Sequence, residues 1–155
     1  MGRSRVSESR EEMVFTSREL AYLRSQPLGR IATVRADGQP DNAAVGFRVG
    51  DDGVITVGGM DVAGSRKGRN VFAGQPRVAF LVDDLQSVRP WRPRGIRIYG
   101  RAELVGAEGD PPHGGQLRIT PEVSWSWQIE NDAMSGGGFR PHRTIHQGAG
   151  RTTSP

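Results

Sequence analysis

The chain has 155 residues, a length for one domain, and 35% of them are hydrophobic, enough for one core. Zero cysteines exclude disulfides, thiolate metal sites and a cysteine nucleophile, and fit a cytoplasmic protein. A net charge of +4 would suit nucleic acid, but the charges are scattered and aromatics are only 6%, which argues against that partner, and no apolar window reads as a membrane span or secretion signal.

Residues 1–12 are polar, mixed in charge and aperiodic, so they read as a disordered leader to a domain over 13–130. Thr16-Ser17-Arg18-Glu19 has the spacing of a capping box. Leu20 and Leu23 give the short helix that follows an apolar face, Phe15 can staple against it, and Pro27 closes it. Arg30 to Val34 is a β-type run, and Asp37-Gly38 turns it toward a second strand from Ala43 to Val49. Asp51-Asp52-Gly53 turns again into Val54 to Val57, so the first three strands are expected to form a meander. Val78 to Val82 is the next strand, followed by an expected loop from Asp83 to Pro93 that carries Trp91 among Arg89, Arg92 and Arg94. Gly95 to Leu104 alternates well, with Gly100 as a candidate bulge. Gly106 to Gly115 reads as a loose loop, and Leu117 to Ile119 with Val123 to Trp127 as a last pair of strands around Pro121. From residue 131 to 155 the chain turns Gly-, Ser- and Arg-rich and is expected to be a flexible tail. Six short strands with a helix in front and one in the middle make the chain mainly β and fit a small closed or split barrel.

The densest chemistry lies between Gly58-Gly59 and Pro76. Ser65, Arg66, Lys67 and Arg69 crowd into five positions at an expected helix start, just after the glycine turn. Lys67 is the only lysine among 21 basic residues, so a compact ammonium stands where the composition otherwise prefers guanidinium. Exposed N–H groups at a helix start, joined by these side chains, suit a phosphate. The same pattern also fits a solvated basic helix start.

Gly64-Ser65-Arg66-Lys67, then Asn70, then Pro76-Arg77-Val78-Ala79-Phe80, resembles the flavin-phosphate segment of the pyridoxamine 5′-phosphate oxidase superfamily. Three blocks together look like its deazaflavin (coenzyme F420)-dependent branch. They are Leu28 to Val34 with Asp37-Gly38-Gln39-Pro40, Ser65 to Val71, and Val78 to Asp84, and the likeness runs from about Val14 to Glu130. The resemblance implies a split β-barrel in which two subunits pair and hold cofactor in the clefts between them. It implies an oxidoreductase that passes a hydride between F420 and a small organic substrate, with FMN as the alternative cofactor and a non-catalytic carrier as the alternative class. Ser65, Arg66 and Lys67 match the phosphate motif, and Arg69 and Asn70 match the branch's longer version. The strands that border the ring in that family carry Val45, Gly46, Phe47 and Gly58 here, and Asn42 and Ala43 stand where relatives have ring or substrate contacts. Gly68 departs from the branch, which often has a bulky residue such as Trp, and a glycine there would open space beside the phosphate.

Trp91, an indole among three arginines, is a candidate for the mouth of the cleft, whereas Trp125 and Trp127 share a strand face and read as core. His113, His142 and His146 lie in expected loop or tail, without a carboxylate cluster, so no metal site is expected. No spacing supports a protein nucleophile or general base, as expected where a cofactor carries the chemistry, so the catalytic residues stay unassigned.

Overall fold

The computed structural model of the chain describes residues 14–146, so the expected leader lies outside the described residues. Thr16 caps the first helix, α1 (Ser17–Ser25), as its spacing predicts. Its hydroxyl accepts from the Glu19 N–H at 3.1 Å, and the Glu19 carboxylate accepts from the Thr16 N–H at 3.0 Å. Leu23 and Phe15 are buried, Leu20 packs beside them, and Tyr22, which the spacing did not single out, is buried too.

Eight strands follow: β1 (Gly29–Val34), β2 (Pro40–Val45), β3 (Phe47–Val49), β4 (Ile55–Val57), β5 (Arg77–Ser87), β6 (Arg92–Glu108), β7 (His113–Trp127) and β8 (His142–Ile145). The second helix, α2 (Arg66–Phe72), stands between β4 and β5. All strand pairs are antiparallel, in the order β2-β1-β5-β6-β7-β4-β3, with β8 also on β7. The two ends of this path, β2 and β3, are consecutive in the chain, with Gly46 between them. One residue therefore ties the sheet's ends together, and Phe47 of β3 meets Phe80 of β5 edge to face at 5.2 Å. The result is a mainly β, curled antiparallel half-barrel. Ile31, Phe80, Val82, Ile96, Ile98, Leu117 and Ile119 fill its core, supplied by alternate positions of their strands.

The chain departs from the expected elements in five places. The run from Ala43 to Val49 is two strands, so there is no three-stranded meander: β2 pairs with β1 and β3 with β4, at opposite ends of the path. The expected loop over Asp83–Pro93 is mostly hairpin. Asp84 and Arg94 stand directly opposite in register and pair at 2.7 Å, which carries β5 and β6 outward as far as Ser87 and Arg92. The expected loop over Gly106–Gly115 is also paired, out to Glu108 opposite His113. The last two expected strands are one, β7, with a bulge where Tyr99 faces Val123 and Gly100 faces Pro121. Gly100 sits there for want of space, since a Cβ would lie 2.4 Å from the Thr120 carbonyl oxygen.

The fifth departure is the tail. Residues 142–145 form β8 on Val123 to Ser126, and Ala133, Thr144 and His146 are buried. Its docking surface is polar, with Ser124 and Ser126 fully buried beneath it, so no apolar periodicity announces it. The same register turns Trp125 and Trp127 outward, half-exposed, against the expectation that they were core. Residues 147–155 lie outside the described residues.

Candidate functional site

The loop from Gly58 to Ser65 is fastened before it reaches α2. The Asp61 carboxylate accepts from the N–H of Gly114 at 2.8 Å and of Gly64 at 3.0 Å, and these bonds hold its carboxyl below the usual carboxylate range. The Ala63 N–H donates to the Gly114 carbonyl at 2.9 Å, so the start of β7 fixes the start of α2. Ser65 is the cap: its hydroxyl donates to the Val62 carbonyl at 2.5 Å and accepts from the Gly68 N–H at 3.4 Å. Asn70 is buried and donates to the Thr33 hydroxyl at 2.9 Å, which seats α2 on β1.

Gly68 does not open space beside this segment, contrary to the expectation from its smallness. It is buried, and a Cβ there would stand 2.0 Å from the Val62 carbonyl oxygen, so the glycine lets the loop backbone close against the helix.

With Ser65 and Asn70 engaged, three cations remain. Arg66 and Arg69 are exposed and Lys67 is half-buried, and among the described residues none of the three forms an ion pair. Arg66, Arg69 and Asn70 line a cleft of about 280 Å³ with Arg35, Ala36 and Asp37 of the β1–β2 turn. Arg35 went unnoticed in the sequence because only the packing of α2 against β1 and β2 brings it there.

A second cleft, of about 230 Å³, is lined by Gly46, Phe47, Arg48, Thr56, Gly58 and Gln116. It gathers three of the four residues expected to border a ring, while Val45 is buried beside them. A third, of about 360 Å³, shares Thr56 and Gln116 with it and adds Asp52, Val54, Val105 and Arg118. Arg48, Thr56, Gln116 and Arg118 lacked any sequence signal, since β4 meets β7 across a separation that no local pattern encodes.

Trp91 is not brought to any of these three clefts. It is 63% exposed on the β5–β6 turn, at the far end of β5 from α2. The 11 residues of β5 put about 35 Å between those ends. Of the arginines around it, Arg94 is committed to Asp84 and lies 4.9 Å from the Tyr22 ring centroid. His142 lies 3.7 Å from Glu19, and His146 shares a 2.8 Å hydrogen bond with Ser124. Among the described residues no three His, Cys, Asp or Glu side chains are grouped to hold a metal, and no helix is long and apolar enough to cross a membrane.

A curled antiparallel half-barrel with two helices is the split-barrel architecture. The pyridoxamine 5′-phosphate oxidase family model matches residues 15–124, and the chain belongs to that family. It is 41% identical over 129 residues to a 5a,11a-dehydrotetracycline/5a,11a-dehydrooxytetracycline reductase of Streptomyces rimosus, covering 80% of this chain and 90% of the relative. Among solved structures it resembles a conserved hypothetical protein of Mycobacterium tuberculosis, at 25% identity and a TM-score of 0.59, over 78% of this chain and 89% of that one. General Stress Protein 26 of Bacillus anthracis shares the fold at 21% identity and a TM-score of 0.54, over 73% of this chain and 93% of that one.

Proposed function

We propose that the chain is an oxidoreductase that binds the deazaflavin coenzyme F420 and passes a hydride to a small organic substrate. The observation that carries this is the group Arg66, Lys67 and Arg69, which makes no ion pair among the described residues and stands beside a cleft that Arg35, itself 3.6 Å from Asp37, completes. Unpaired like charges repel, so a fold that holds them together gains from an anion between them. Their number and spacing fit a phosphate that continues into a carboxylate-bearing tail. Membership of the family and the likeness to a reductase support the redox reading. When bound, the deazaflavin supplies the hydride chemistry. The chain's own residues bind and orient: Ser65 and Asn70 shape the helix start, the cations hold the anionic end, and Gly46, Phe47 and Gly58 offer a flat, open wall for a ring. Two copies of the chain pair in this reading, in the cytoplasm, and Trp91 then reaches cofactor only from the second copy.

The test is titration of the purified protein with F420 and with FMN at low and high salt. F420 is expected to bind tighter at low salt, by tenfold or more, and to lose that margin as salt screens the tail charges. Tighter FMN binding at low salt overturns the reading.

A further inference from the structure

A second set of cations stands on the opposite hairpin and shares no residue with the first cleft. Arg48 of β3 and Arg118 of β7 each face Thr56 of β4 in register, so the three side chains lie in one row on one face of the sheet. Neighbouring strands are about 4.8 Å apart, which sets the two arginine Cα atoms about 10 Å from each other across Thr56. Both guanidinium groups can close on one small anion from that distance. Both side chains are exposed, and among the described residues neither forms an ion pair. Two acids stand near this row. Glu103 stands opposite Arg118 in β6 without an ion pair between them, and Asp52 accepts from the Val54 N–H at 3.0 Å within its own turn. Gln116 adds an amide at the boundary of the two adjoining clefts that this row spans.

Two arginines flanking a hydroxyl match a carboxylate, which takes paired N–H donors from guanidinium and a third hydrogen bond from a threonine. The anionic part of the cofactor is already served by Arg35, Arg66, Lys67 and Arg69 at a separate cleft. We infer that Arg48, Thr56 and Arg118 form a substrate subsite that takes an organic carboxylate. This rests on the reading above that the cleft of Gly46, Phe47 and Gly58 borders the ring, because that cleft shares Arg48 and Thr56 with the subsite.

The probe is benzoate, with benzamide as its neutral counterpart, titrated into the full chain with and without F420 and followed by the amide resonances of Thr56 and Arg118. Benzoate is expected to bind at least tenfold tighter than benzamide and to shift those resonances. In R48Q/R118Q that preference is expected to vanish, while F420 affinity falls far less than in K67A. K67A should do the reverse. Benzoate binding unchanged in R48Q/R118Q overturns the inference, as does a loss of F420 affinity in that variant that matches its loss of benzoate. Thermal melts of R48Q/R118Q should match wild type, and R48K/R118K should restore part of the benzoate preference, which separates lost recognition from lost folding. If wild type fails to bind F420, the proposed function fails by itself, and the benzoate arm without cofactor still decides the subsite.

Discussion

Charged groups around α1 close on one another, whereas the cations carried by α2 stand open. At α1, Glu19 is fully buried and serves the capping box, Thr16 also donates to Glu130, and His142 lies 3.7 Å from Glu19. A turn further on, the Tyr22 hydroxyl donates to Asp84 at 2.8 Å while Arg94 pairs with the same carboxylate. The hydrogen bond from Arg94 holds the Asp84 carboxyl below its ordinary range, and burial pushes the Tyr22 hydroxyl above its own. At α2 the polar side chains with partners, Ser65 and Asn70, shape the backbone, and the cations have none among the described residues. The contrast separates charge that holds the fold from charge that awaits a ligand. The first kind should fail in a melt, the second in a titration.

The largest effect should come from emptying the open region. R66A/K67A/R69A removes three donors, each worth about 1.5–3 kcal/mol in a charge-assisted bond, so F420 binding should weaken by a factor of about 100 or more. Its melting temperature should stay the same or rise slightly, because mutual repulsion is removed. A large fall in melting temperature with intact F420 binding, read by fluorescence quenching, would reverse the assignment.

Next is the closed region. Glu19→Ala deletes half of a capping box and leaves the half-buried Thr16 N–H without its partner. The expected cost is about 2 kcal/mol in urea unfolding, with F420 affinity unchanged. A cost below the noise of the measurement would mean that the buried Glu19 oxygen lacking a hydrogen bond, beside the equally unpartnered His142 Nδ1, offsets what the cap contributes.

What the sequence revealed follows the same division. Thr16 and Glu19 are three residues apart, and Ser65, Arg66, Lys67 and Arg69 lie within five, so cap and cation cluster were both legible from local spacing. Long-range pairing was not. Asp84 and Arg94 looked like loop residues because only their opposition across a hairpin makes them a strand-extending pair. β8 was hidden because Thr144 and His146 dock on Ser124 and His142 stands opposite Ser126, where a hydrophobic count finds nothing. Gly68 misled for a related reason: its missing side chain reads as room in the sequence, and the fold fills that room with the Val62 backbone. Arg35, Arg48 and Arg118 carried no signal at all, since each gains its meaning from a strand or helix far away in the chain.

The smallest effect tests whether β8 belongs to the closed region. His146 packs against Phe15 at 4.6 Å between ring centroids and shares its Nε2 hydrogen bond with Ser124. Burial pushes its imidazole below the ordinary histidine value, against the opposing pull of Glu19, which also has His142 at 3.7 Å. A depressed value in the folded state means that the unfolded chain binds the proton more readily. The stability tied to neutral His146 is then fully present above the ordinary value of about 6.5 and is lost as the pH falls through the folded value. Asp84, held below its ordinary range, stays ionised from about pH 7 to about pH 5 and contributes its own loss only at more acidic pH. Urea midpoints should therefore decline from about pH 7 to about pH 5 in the wild type. In His146→Gln, which can still hydrogen-bond Ser124 but does not titrate, the decline should be shallower. Equal slopes in the two proteins would show that β8 opens before His146 takes up its proton, and would place the strand outside the closed region.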